Sequence, residues 1–112
     1  MSFDLAFWVE SPAPSPAEAA VTYDRLADGE EGVIAPDGAV ARFLADVLAD
    51  YPDLTEENMD VSPWASSIYS NTECVLVAIS WSRAADLGPA LRQIASRHGL
   101  ITYDPQEEQV LA

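Results

Sequence analysis

His98 and Cys74 are the only imidazole and the only thiol in this chain of 112 residues, and they set the first limit on its chemistry. Nucleophilic catalysis pairs a serine or cysteine with a base that a third group orients. No motif ties any such nucleophile to His98. His98 falls in the last turn of an expected helix, where a partly positive ring suits the carboxyl end, so capping or packing accounts for it. Cys74 opens an apolar run with nothing beside it to lower a thiol pKa, so it reads as a small packing residue. A transition-metal site needs convergent His, Cys and carboxylate ligands, and none is expected from one His and one Cys far apart. No acidic stretch shows the alternating Asp/Asn ladder and closing Glu of a calcium loop. The five glycines are scattered, without the strand–GxGxxG–helix unit that cradles a phosphate, so no cofactor is expected. Paired carboxylates remain open, because 19 acids always offer some pair.

The charge is the second limit. Nineteen acids stand against five basic residues, all of them arginine, for a net charge of −14. Such a surface repels phosphate backbones and anionic lipid, so neither nucleic acid nor a membrane is an expected partner. Two readings of the acidity remain: solubility, in a GC-rich or salt-adapted host, or a basic protein partner drawn in by electrostatic steering. A hydrophobic fraction of 49% over 112 residues suits one domain, 1–112, with one core. No apolar run approaches the roughly 20 residues that cross a bilayer. The start, MSFDLAFWVESPAP, has no basic region, and one cysteine makes no internal disulfide, so a cytoplasmic protein is expected.

The elements that would position these groups are marked most clearly near the carboxyl end. Residues 74–81 are an apolar, β-branched strand. Leu87, Leu91, Ile94, Ala95 and His98 share a helical face, Gly99 supplies a left-handed stop, and residues 100–103 resume an extended pattern. Pro89 suits the first turn of a helix that begins near Leu87. At the other end, Phe3, Leu5, Phe7 and Val9 alternate with Asp4, Ala6, Trp8 and Glu10, as in a half-buried strand. The prolines of SPAPSP end it. Ser15-Pro16-Ala17-Glu18 is a capping box with proline at the first helical position, opening a helix to about Ala27.

After a polar connection over 29–38, a second helix begins at Ala39. Val40, Phe43, Leu44, Val47, Leu48 and Tyr51 form its apolar stripe, and Pro52 ends it. Residues 52–63 are an acidic connection without a basic side chain, of a length that is often functional. Residues 64–70 read as a weaker strand, joined by Asn71-Thr72-Glu73 to the strong strand in an antiparallel hairpin.

With the first two helices merged into one crossover layer, the order is βαββαβ. That is an α+β, ferredoxin-like split βαβ fold with an extra helix in the first crossover. Its four-stranded antiparallel sheet would be covered by helices on one face, with the first and third strands central. Trp8 would then face the open side, flanked by Leu76 and Ala78. An uncovered apolar face is a candidate contact surface for a second copy or another protein, unless a loop such as 52–63 folds over it.

FDLAFW, YPDLTEENMDVSPW, ISWSRA and RHGLITYDPQ together resemble a family of small, mostly actinobacterial, uncharacterised proteins. Its members begin with a YDLAVWEG-like strand, carry a YPDLT…DSPW segment and close with EHGLVCYDPQ. The likeness touches both ends and the centre and covers most of the chain. Phe3 replaces the usual tyrosine, and Asp60 lies one residue further from Ser62 than the family's aspartate. The resemblance brings no activity, but it directs attention to Trp8, Trp64, Tyr103, Asp104 and Gln106. Trp64 also fits plain core, and Asp104-Pro105 a plain strand-ending turn.

The candidate interaction surface is therefore Trp8, Leu76, Trp64, Tyr103, Asp104 and Gln106. The leading expectation is a non-enzymatic, acidic interaction module that binds a basic partner, as a toxin's immunity protein does, or forms a homodimer through the open face. The alternative is a small enzyme or ligand-binding domain with a pocket between that face and residues 52–63. A fold of this kind hosts many functions and does not choose between them.

Overall fold

The computed structural model describes residues 2–111. The alternating amino-terminal segment forms strand β1 (Ser2–Trp8). The β-branched run forms β3 (Cys74–Ser80), antiparallel to β1 along its whole length, with Phe3 opposite Ile79, Leu5 opposite Val77 and Phe7 opposite Val75. Strand β4 (Ile101–Asp104) takes the other side of β1, with Ala6 opposite Tyr103. Strand β2 (Tyr69–Ser70) borders β3, and β5 (Gln109–Leu111) borders β4. The sheet is antiparallel with the order β2-β3-β1-β4-β5, so β1 and β3 are adjacent and central, as their apolar content predicts.

It has five strands where four were expected. The added β5 is only three residues long, too short to show a period. Its turn runs through Glu108 at a φ of 52°, a left-handed conformation that a glutamate does not advertise. In the other hairpin, the expected strand over 64–70 shrinks to β2 plus an isolated bridge between Trp64 and Ile79.

Helix α1 (Pro16–Ala27) opens with the expected capping box. The Ser15 hydroxyl accepts from the Glu18 amide at 3.1 Å, and Glu18 Oε1 accepts from the Ser15 amide at 3.0 Å. Helix α2 (Gly38–Asp50) is capped by Asp37, whose carboxylate accepts from the Ala39 amide. Its stripe is narrower than the periodicity implies: Val40, Phe43 and Val47 are buried, and Leu48 is exposed. Helix α3 (Trp81–Arg97) starts directly after β3, six residues earlier than expected. Pro89 therefore sits inside the helix, where its missing N–H leaves the Ala85 carbonyl without an i+4 donor.

The expectation of helices on one face is corrected. Leu5, Phe7, Val75, Val77 and Ile79 pack against α2 and α3, with Phe7 and Phe43 ring centroids 4.7 Å apart. Ala6, Trp8, Cys74, Ile101 and Tyr103 face the other way and pack beneath Ala19 and Leu26 of α1. The alternation placed Trp8 on the correct side of β1; the error lay in stacking α1 with α2. Ala19, Tyr23 and Leu26 recur at helical spacing and supply the cover that this second apolar face requires.

Candidate functional site

Trp8 and Tyr103 are core residues. Trp8 is fully buried, its indole Nε1 donates to Glu10 Oε1 at 2.9 Å, and its ring lies 6.1 Å from that of Tyr103. Tyr103 in turn lies 5.4 Å from Tyr23 of α1. Neither is available to a partner or a second copy. Residues 52–63 do not cover this face either: Leu54 packs on the opposite core, and the Asp53 carboxylate accepts from the Leu54 and Ile68 amides. Trp64 belongs to that same core and donates from Nε1 to the carbonyls of Tyr51 and Pro52, fastening the end of α2.

α1 covers only part of its face. Beyond it, Leu76 and Ala78 of β3 and Asp4 of β1 are half-buried and floor a groove of about 230 Å³. Tyr23 walls it on one side, and Ser66, Ser67 and Tyr69 wall it on the other. Tyr69 stands opposite Leu76 in the β2–β3 register, which fixes the ring at the groove's edge. Asp4 is the groove's one charged side chain, and its Oδ1 accepts from the Ser2 hydroxyl at 2.7 Å. Burial pushes the Tyr23 phenol above its usual range, and the negative charges of Asp4 and Asp24 add to the shift. Tyr23 therefore stays a neutral hydroxyl beside a carboxylate. Of the expected surface, only Leu76 lies here. Asp4, Tyr23 and Tyr69 were not singled out in the sequence because they come from three distant segments. The one available signal was the position of Asp4 on the Trp8 side of an otherwise apolar strand.

Asp104 and Gln106 belong to the far end of the sheet. Asp104 is buried, and its Oδ1 accepts from the Gln106 amide, Gln106 Nε2 and the Glu107 amide, shaping the β4–β5 turn. Gln106 also bonds the backbone of Asp4 in both directions. Thr102 and Asp104, two residues apart on β4, share a sheet face with Phe3 and Leu5. Under α3 they line a cavity of about 160 Å³ closed by Gly88 and Leu111, with Arg92 among the lining residues.

Three further titratable groups, Glu73, Cys74 and His98, belong to the packing of the fold. The Glu73 carboxylate, buried at the start of β3, accepts from the backbone amides of Gly32, Val33 and Ile34 at 2.8–2.9 Å, which hold its pKa below the usual glutamate range. That bond set pins residues 29–38 to the sheet. Cys74 is fully buried, and burial pushes its thiol up to about 11, so it stays protonated near neutral pH. His98 Nε2 meets Asp46 Oδ2 and ties the end of α3 to α2. Among the described residues no His, Cys, Asp and Glu side chains cluster as a metal site, and no helix is long and apolar enough to cross a membrane.

No family model, curated protein or solved structure matches the chain.

Proposed function

We propose that this chain is a non-enzymatic acidic interaction module that receives a basic segment of a partner protein in the groove between Asp4, Tyr23 and Tyr69. The observation that carries the reading is the pairing of one half-buried carboxylate with two tyrosines over a floor of Leu76 and Ala78. A lysine or arginine tip is recognised by such a set through the carboxylate and the ring faces, while its alkyl stem lies on the apolar floor. The net charge of −14 steers a basic partner toward the groove from a distance. Two of the five arginines are paired within the chain, Arg25 to Glu30 and Arg83 to Asp86.

A sequestering role in the cytoplasm, in the manner of a toxin's immunity protein, is the sharpest form of this reading. The groove contains neither an imidazole nor a thiol and only one carboxylate, which favours binding over catalysis. The order β2-β3-β1-β4 supports a ferredoxin-like split βαββαβ arrangement, here with α1 moved to the second face and β5 added at the edge.

The test is fluorescence anisotropy of a labelled lysine- and arginine-rich octapeptide across a salt series. The reading expects micromolar binding that weakens with salt and falls about five-fold or more in both Asp4→Asn and Tyr69→Ala. Any polycation adheres to an acidic protein, so equal affinity for the wild type and both variants overturns the reading.

A further inference from the structure

The cavity under α3 is bordered by one buried acid and one arginine, and neither takes part in the groove on the other sheet face. Asp104 is 7% exposed and spends Oδ1 on three donors from its own turn. Its Oδ2 takes no hydrogen bond among the described residues. Only the Thr102 hydroxyl is both sealed from solvent and without a partner there, so Asp104 Oδ2 keeps accessible surface. A largely buried carboxylate oxygen without a donor is costly, and a cationic donor offsets that cost best. Arg92 lies four residues beyond Gly88 on α3, about 6 Å along the helix axis. It borders the same cavity, is exposed, and makes no ion pair among the described residues, with Asp104 or any other acid. The wall between the two charges is apolar. Leu5 and Gly88 are buried, whereas Phe3, Ala84 and Leu111 are half-buried and leave the cavity open to solvent.

We propose that this cavity binds a free amino acid with an apolar side chain of about leucine's size. The ligand's ammonium group donates to Asp104 Oδ2, its carboxylate accepts from the Arg92 guanidinium, and its side chain lies against Leu5 beneath Gly88. An apolar cavity of about 150 Å³ holds benzene, so a volume of about 160 Å³ takes an isobutyl group. Gly88 contributes to that room: a Cβ built on it would approach Phe3 to 3.7 Å, where the helix faces β1. The guanidinium fork matches a carboxylate and always carries its charge. Both charges are needed to define the ligand. An amine alone leaves Arg92 unused, and a carboxylate alone leaves Asp104 Oδ2 without a donor.

Leucine, isopentylamine and isocaproate share one apolar body and carry both charges, the ammonium only and the carboxylate only. Titration of ¹⁵N-labelled protein with each, followed by amide chemical shifts, tests the proposal. Leucine is expected to move the Gly88, Asp104 and Leu111 amides and to bind about ten-fold more tightly than either analogue. Arg92 is exposed, so Arg92→Gln is expected to fold, to weaken leucine about ten-fold and to leave isopentylamine unchanged. Asp104→Asn keeps an acceptor for the turn and is expected to weaken leucine and isopentylamine alike. The proposal is overturned if leucine leaves those amides unmoved, if either analogue binds as tightly, or if Arg92→Gln binds leucine as the wild type does.

Discussion

The side-chain amide of Gln106 pairs with the backbone of Asp4 as a strand residue would. Gln106 Oε1 accepts from the Asp4 amide at 2.6 Å, and Gln106 Nε2 donates to the Asp4 carbonyl at 2.8 Å. The β1–β4 register explains why a side chain is needed. Ala6 stands opposite Tyr103, so Asp4 would face Pro105, which has no N–H to donate. The Asp-Pro-Gln sequence is thus one device: Asp104 shapes the turn, Pro105 ends the strand, and Gln106 completes the ladder beside the residue that carries charge into the groove.

Gln106→Ala removes both bonds and returns the Asp4 backbone to solvent. A loss of about 1 kcal/mol is expected in urea unfolding, together with faster hydrogen exchange at the Asp4 amide. Unchanged exchange there would remove Gln106 from the ladder.

Trp8→Ala is expected to destabilise the fold by about 3–5 kcal/mol, because the ring is fully buried between α1 and Tyr103. Indole emission in single-Trp variants retaining Trp8 should be blue-shifted in the monomer. An exposed emission spectrum, or a monomer as stable as the wild type, would contradict the burial of this face under α1. Phe43→Ala, fully buried against Phe7, should cost a similar amount, about 3–5 kcal/mol.

How far the sequence reached is clear from these residues. Alternation placed Phe7 and Trp8 on opposite sides of β1, and the capping box placed the start of α1, because both signals are local. Which side of the sheet α1 would take is a packing decision between distant surfaces, and local periodicity does not carry it. Trp81 to Asp86 was missed as helix because a strand's apolar run and a helix's first turn share Trp81 without a capping side chain between them: Ser80 occupies the N-cap position but makes no side-chain cap bond. The groove was illegible for a related reason. Asp4, Tyr23 and Tyr69 are joined only by the fold, and none belongs to a spaced motif.

Stability should fall on acidification as Glu73 gains a proton. Its folded pKa lies below the ordinary glutamate range, so its contribution is fully present above the unfolded value, about 4.3. That contribution is lost as the pH drops through the lower folded value. Glu73→Gln should be less stable than the wild type at neutral pH, and the gap should narrow below about pH 4. A gap that is constant with pH would show that the three backbone amides do not hold the charge.

Gly88→Ala is expected to stabilise α3 by about 0.5–1 kcal/mol, since its Cβ meets Phe3 only at ordinary contact distance. Thr102→Val should also be at least as stable as the wild type, because it removes a buried hydroxyl that makes no bond among the described residues. Thermal melts of both variants decide this, and a loss above about 1 kcal/mol in Thr102→Val would reveal a partner for the hydroxyl within the fold.

On the proposed function, a basic segment is read by the groove and not by the acidic surface at large. Amide shift mapping during titration with the lysine- and arginine-rich octapeptide measures this directly. The largest shifts are expected at Asp4, Tyr23, Ser66, Tyr69 and Ala78, saturating together and needing about five-fold more peptide or beyond in Asp4→Asn. Shifts spread over the acidic residues of 52–63, or growing without saturation, would contradict it.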